Sequence, residues 1–249
     1  MNEVKFQLTY SAFKQIKRFF KILTWDAKIV VKYQILTAYV LVSIAYILIL
    51  RFVPFPELEN ILIFLLFSDP SFMGILFIAG LVYFERNQRV HLVIGVMPIR
   101  PSVYTWSKSI ILTSVSLLSA CIIQLFTNGI NIQWGWFLGS ILLSSILYTL
   151  IGLWIVSYAK SLNHYMLFAL ALNIIILLPF FQINDVFTFL GFYGWPSYAG
   201  ILLLECAYTY TITWELALYT IGYSLIWIGV VSFFVNQRYK EIATLEATK

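Results

Sequence analysis

Charge is what this chain has least of. Asp, Glu, Lys and Arg make up 11% of its 249 residues, where a soluble domain carries about 25%. With 61% of the residues hydrophobic, the apolar surface exceeds what one soluble core of this length can hide. The composition therefore excludes an ordinary soluble enzyme or binding module and predicts a polytopic membrane protein. The two cysteines, Cys121 and Cys206, lie far apart in apolar surroundings, so neither a disulfide framework nor a metal site is indicated. The two histidines, His91 and His164, have no H-E-x-x-H pattern around them. No Gly-x-Ser-x-Gly elbow is present and no paired acids share an apolar run, which argues against an intramembrane protease or lipid transferase. A G-x-x-x-x-G-K-[ST] loop to cradle phosphates is also missing, and no polar stretch is long enough for a nucleotide-binding domain. Nothing at the N-terminus reads as a cleavable signal.

What is present is apolar runs of membrane length. The first is 35–53, ended by Arg51 and the Pro54–Pro56 turn, and the second is 61–84. Further runs are 103–126, 137–158, 165–181 and 216–235. Each approaches the ~20 residues that cross a ~30 Å hydrocarbon core at ~1.5 Å per residue. Before the first span, residues 1–33 carry seven basic side chains interleaved with Phe13, Ile16, Phe20 and Leu23 at helical spacing. That pattern predicts an amphipathic helix lying at the membrane surface, apolar face to lipid and cations to phosphate. Nucleic-acid binding, the other reading of such a basic segment, is set aside because a span begins immediately after it.

Two stretches are neither spans nor simple turns. Residues 85–108 are polar at both ends, with Glu85, Arg86, Arg89, Arg100 and Lys108, and apolar in the middle from Leu92 to Met97. The segment has room for a short surface helix stopped by Pro98 and Pro101, because proline lacks the N–H and restricts the residue before it. Residues 182–214 are too broken by Gly191, Gly194 and Pro196 to span, yet too aromatic for a solvated loop. Two short helices re-entering the outer leaflet are expected, packed against protein as irregular backbone at membrane depth must be.

Orientation follows from the cations. With the N-terminus inside, 15 of the 16 basic residues fall on the inner side and only Arg51 lies outside. Six spans with both termini cytoplasmic are expected. The net charge of +5 is then a topology signal and calls for no acidic partner.

The order of these elements resembles the permeases of type 2 ATP-binding-cassette exporters. Phe67-Ser68-Asp69-Pro70, Phe77-Ile78-Ala79-Gly80 and the stretch Glu85–Lys108 are more specifically similar to permeases of fluoroquinolone exporters. In that family a glutamate ends the second span and a "GTL…VTPL…Y…K" pattern follows. Glu85, Gln88, Leu92, Val96, Pro98, Arg100, Pro101, Tyr104 and Lys108 stand at matching positions, while Arg89-Val90 replaces the usual Gly-Thr pair and Met97 stands where threonine is common. The resemblance implies an all-α half-transporter in a bacterial cytoplasmic membrane, with 1–33 as the interfacial helix and 34–249 as a six-span permease domain. It implies two permease copies, identical or related, forming the path. Separate nucleotide-binding ATPase subunits would carry ATP and Mg, with no cofactor held by this chain. It further implies multidrug efflux by alternating access, moving an amphipathic or hydrophobic cargo outward. A non-transporting membrane scaffold or immunity-type protein, and an intramembrane enzyme, are the alternatives.

On the same resemblance, 85–108 would be the segment that couples to the ATPase. Leu92, Val93, Val96 and Met97 would be its buried contact, and Glu85, Arg89 and Arg100 would fix orientation. Asp69 interrupts an apolar run, where a carboxylate costs about 2.5–3.5 kcal/mol on insertion scales. Either it faces the translocation path, or the second span starts after Pro70 and Asp69 caps it. Asp-Pro suits the N-cap and first helical position, so the cap is the expectation. Glu205 follows Ile201–Leu204 in the re-entrant segment and is a candidate outer gate, or an interfacial carboxylate.

Overall fold

The computed structural model of the chain describes residues 2–53, 58–88, 101–159, 161–183 and 189–247. Every regular element among them is helical: α1 (Asn2–Lys32), α2 (Ile35–Phe52), α3 (Leu58–Asn87), α4 (Pro101–Thr127), α5 (Trp134–Tyr158), α6 (Leu162–Ile183), a 3-10 turn (Leu190–Gly194), α7 (Tyr198–Thr209) and α8 (Trp214–Ala247). Six of these, α2 to α6 and α8, are long and apolar enough to cross a membrane. They coincide with the six expected spans. The residues expected to form a short tail instead extend α8, which runs unbroken through Arg238 and Lys240 to Ala247.

The most buried of the six is α5, and α3, α4, α7 and α8 pack around it. Its sequence explains why. Among Trp134–Tyr158 there is no charged residue, and Ser140, Ser144, Ser145, Thr149 and Gly152 lie among its buried positions. In an apolar solvent helices gain little by hiding leucine from lipid, so small residues that let backbones approach closely decide the contact. A β-carbon on Gly152 would stand 3.2 Å from the Cα of Ile75 and 2.5 Å from the Cγ2 of Ile78, both on α3. Tyr165 of α6 closes the same corner by donating its hydroxyl to the Ile75 carbonyl at 2.5 Å.

At the periphery, α2, α6 and α8 keep large apolar side chains exposed. Leu41, Ile44 and Leu48, then Leu167, Phe168 and Ile174, then Leu218, Leu225, Ile226 and Phe233 form these outer faces. Helices hydrophobic on the outside and packed on small polar residues inside are what a lipid solvent selects.

The stretch expected to re-enter the membrane contains the 3-10 turn and α7, two short helical pieces. Residues 184–188 lie outside the described ones. Ser197 Oγ donates to the Ile176 carbonyl of α6 at 2.7 Å. Tyr219 and Tyr223 of α8 donate to the carbonyls of Tyr193 and Gly194. Ser140 of α5 donates to the Gly200 carbonyl at 2.7 Å. Thus α7 is a built-in part of the bundle, buried along most of its length.

The expectation for Asp69 needs correction. Helix α3 begins at Leu58 and continues through Asp69 and Pro70 to Asn87, so Asp69 lies in a helix interior and caps nothing. Proline 70 removes one backbone donor without ending the helix, as it does where neighbouring elements support a membrane-length helix.

Candidate functional site

The last turn of α3 and the second turn of α4 frame the segment 85–108, and there the described structure concentrates its charge. Lys108 Nζ lies 2.5 Å from Glu85 Oε1 and 3.1 Å from Asp26 Oδ1. The three side chains are 0%, 3% and 1% exposed respectively. The second oxygen of each carboxylate is also engaged. Tyr104 donates its hydroxyl to Glu85 Oε2 at 2.7 Å, and Ser107 donates to Asp26 Oδ2 at 2.5 Å. The ammonium of Lys108 also sits 4.5 Å from the centroid of the Tyr104 ring, close enough for a cation–π contact.

Local sequence explains how the parts meet. Tyr104 and Lys108 are four apart on α4 and so share a face, which lets both reach the one carboxylate at the end of α3. On α1, Asp26 stands three and four residues before the buried Ile29 and Val30, on the face that packs against α4. Two carboxyl groups and one ammonium are buried with every carboxylate oxygen hydrogen-bonded, the condition under which a buried ion cluster is tolerated.

Other side chains draw neighbouring helices to this point. Arg86 donates to the carbonyls of Val156 and Ala159 at 3.2 and 3.4 Å, and Tyr83 donates to Ala159 at 3.2 Å. These bonds satisfy carbonyls at the C-terminal end of α5, where a guanidinium also complements the helix dipole. Tyr33, between α1 and α2, stacks on Phe84 with centroids 4.0 Å apart and accepts a hydrogen bond from Gln88. Thr105 donates to Asn236 Oδ1 of α8 at 3.1 Å, and the rings of Tyr104 and Tyr239 lie 5.3 Å apart. The root of 85–108 is thus held by α1, α3, α4, α5 and α8 together.

The residues expected to form the site fall unevenly on this geometry. Glu85 is central to it but turned inward, a structural anchor of the segment and not an exposed contact. Arg89, Leu92, Val93, Val96, Met97 and Arg100 lie outside the described residues. Asp69 is fully buried on α3 against α4, 16 positions from Glu85, or ~24 Å at ~1.5 Å per residue. Glu205 is half-buried on α7. The sequence reading passed over Asp26, Ser107 and Lys108 as site residues and quoted Tyr104 only as part of a pattern. For Asp26 the available signal was an acid in register with Ile29 and Val30 within an otherwise basic segment. For Lys108 it was a cation well inside a membrane-length apolar helix, which demands a partner.

No match is found among curated proteins or among solved structures. Residues 17–243, which take in all six membrane-length helices, match the fluoroquinolones export permease protein family, and the chain belongs to that family.

Proposed function

We propose that this chain is the membrane-spanning subunit of an ATP-powered exporter, coupled through residues 85–108 to a separate ATPase. With six apolar helices and membership of an export permease family, it is a multi-pass membrane transport subunit. The observation that carries the fuller reading is the family match, continuous over 17–243. The cargo is amphipathic, with fluoroquinolones the first compounds to test on the strength of the family's name.

The root of 85–108 supports the coupling. A force applied to a segment whose ends are joined by Lys108 and Glu85 moves α3 and α4 as a unit. Because Asp26 shares the same ammonium, α1 moves with them. Burial strengthens this junction, since charges removed from water resist separation far more than a surface pair does. A partner that presses on the segment would in this way shift three helices at once and open the path by alternating access. A second copy of the chain, or a related permease, completes that path. On the cation distribution both termini face the cytoplasm, with α7 and the 3-10 turn in the outer half of the bilayer.

The test is reconstitution. The chain is co-purified from native membranes, its bound ATPase is identified, and inside-out proteoliposomes holding both are given ATP and a fluoroquinolone. ATP-dependent accumulation, absent from vesicles with either subunit alone, is the expected result. A chain that recruits no ATPase and moves no cargo would return the reading to a membrane scaffold.

A further inference from the structure

Within the bundle, a string of side chains joins three helices around Asp69. Ser119 Oγ of α4 lies 3.0 Å from Asp69 Oδ2. Ser43 Oγ of α2 lies 2.8 Å from Ser119 Oγ and 2.8 Å from the carbonyl oxygen of Tyr39. Beside it, the Tyr39 hydroxyl lies 3.1 Å from Ser116 Oγ. Asp69 is 0% exposed, and Ser43, Ser116 and Ser119 are buried with it. The other carboxyl oxygen, Oδ1, is buried and has no hydrogen-bond partner among the described residues.

Hydrogen counting separates the two protonation states of this arrangement. An ionised Asp69 would bury a charge with one hydroxyl donor and no cation, since its only partner among the described residues is Ser119. Hydration lost without compensation is expensive at this depth. A protonated Asp69 donates from Oδ2 to Ser119 Oγ. Ser119 then donates to Ser43 Oγ, and Ser43 to the Tyr39 carbonyl, which accepts without needing to pass a hydrogen on. The same oxygen positions serve this direction with every hydrogen placed, and the leftover Oδ1 is then a neutral acceptor. Among the described residues, the titratable groups facing Asp69 are the phenols of Tyr39 and Tyr46, both on α2, while α4 turns hydroxyls toward it. Neither supplies a positive charge.

We propose that Asp69 is a proton-binding site, carrying its proton on Oδ2 in this packed bundle through the string Asp69–Ser119–Ser43–Tyr39. The site takes a proton and no larger cation here, because Asp69 is sealed from solvent and Tyr39 packs on Phe77, with centroids 5.1 Å apart, beside it. In any conformation that admits water to Asp69, the O–H bond breaks, the proton passes to water and the hydrated carboxylate remains. Linkage then requires that a higher proton concentration favours the packed arrangement over the wetted one. This inference does not rest on the export reading.

The test uses the full chain alone in lipid vesicles at neutral pH, read by infrared difference spectroscopy. Subtracting Asp69→Asn from wild type is expected to reveal the C=O stretch of a protonated carboxylic acid, downshifted in D2O. Asn keeps a donor for Ser119, so the variant is expected to remain folded. In Ser119→Ala the acid band should persist but move to higher frequency, because its hydrogen bond is gone. Carboxylate bands in place of the acid band in the difference spectrum would overturn the proposal. An acid band indifferent to Ser119→Ala would overturn the string equally, because the Asp69 hydroxyl would then not be bonded to Ser119.

Discussion

Lys108 and Glu85 are separated by 23 positions in the chain and by 2.5 Å in the fold, both hidden from solvent. The end of α3 and the start of α4 meet at this pair, and residues 89–100 between them lie outside the described ones. The pair ties α3 to α4 at the two ends of 85–108. Glu85, Tyr104 and Lys108, spread along the sequence, form a single hydrogen-bonded cluster in the fold.

Removing the ammonium tests the cluster. Lys108→Met leaves Asp26 and Glu85 buried without their cation, and breaking a buried pair in this way costs about 3–5 kcal/mol. The melting temperature of the purified chain in detergent should fall sharply. Adding Asp26→Asn and Glu85→Gln to Lys108→Met should recover part of the loss. Tyr104→Phe should cost less, about 1.5–3 kcal/mol, as one hydrogen bond to a charged group. A Lys108→Met protein that melts like wild type would show that the cluster carries no stability.

Close packing of α3 on α5 gives a second test. Gly152→Ala places a methyl group against Ile78 and the backbone of Ile75, and backbone does not move aside as a flexible side-chain end would. Overpacking of this kind costs about 1–3 kcal/mol, so thermal unfolding should shift downward. Gly222→Ala on α8, where an added β-carbon meets nothing within 4 Å, is the control and should leave the melting temperature where it was.

Coupling is tested from the middle of 85–108. Replacing Val93 and Val96 with aspartate should abolish the complex with the ATPase, or its stimulated ATP hydrolysis, while membrane insertion is kept. An unpaired charge forced into a packed interface costs about 3–5 kcal/mol, enough to separate subunits. Full stimulated turnover in the double variant would remove these residues from the interface.

Topology is tested by labelling. In a background of Cys121→Ala and Cys206→Ala, the variants Glu3→Cys and Leu245→Cys should be shielded from impermeant thiol reagents in intact cells. Asn131→Cys, on the exposed turn between α4 and α5, should react. Labelling of either terminus would overturn the six-span orientation.

The sequence alone determined the number, order and approximate limits of the membrane-length helices. Length and apolarity are local properties, and a helix satisfies its own backbone within the lipid solvent. It also marked 85–108 and 182–214 as the two departures from that pattern. Local signals misled where packing outranked them. Asp69-Pro70 carries the chemistry of a helix start, yet α2 and α4 flank it and the helix runs on through both residues. The carboxyl group so placed is interior to the bundle, hydrogen-bonded with Ser119. Residues 1–33 read as a surface helix with its acids ignored, because nothing local says that Asp26 will meet a lysine 82 positions away. Which charges pair is a property of how helices cross, and only the tertiary structure, by bringing α1, α3 and α4 to one point, decided that Lys108 would be shared between Asp26 and Glu85.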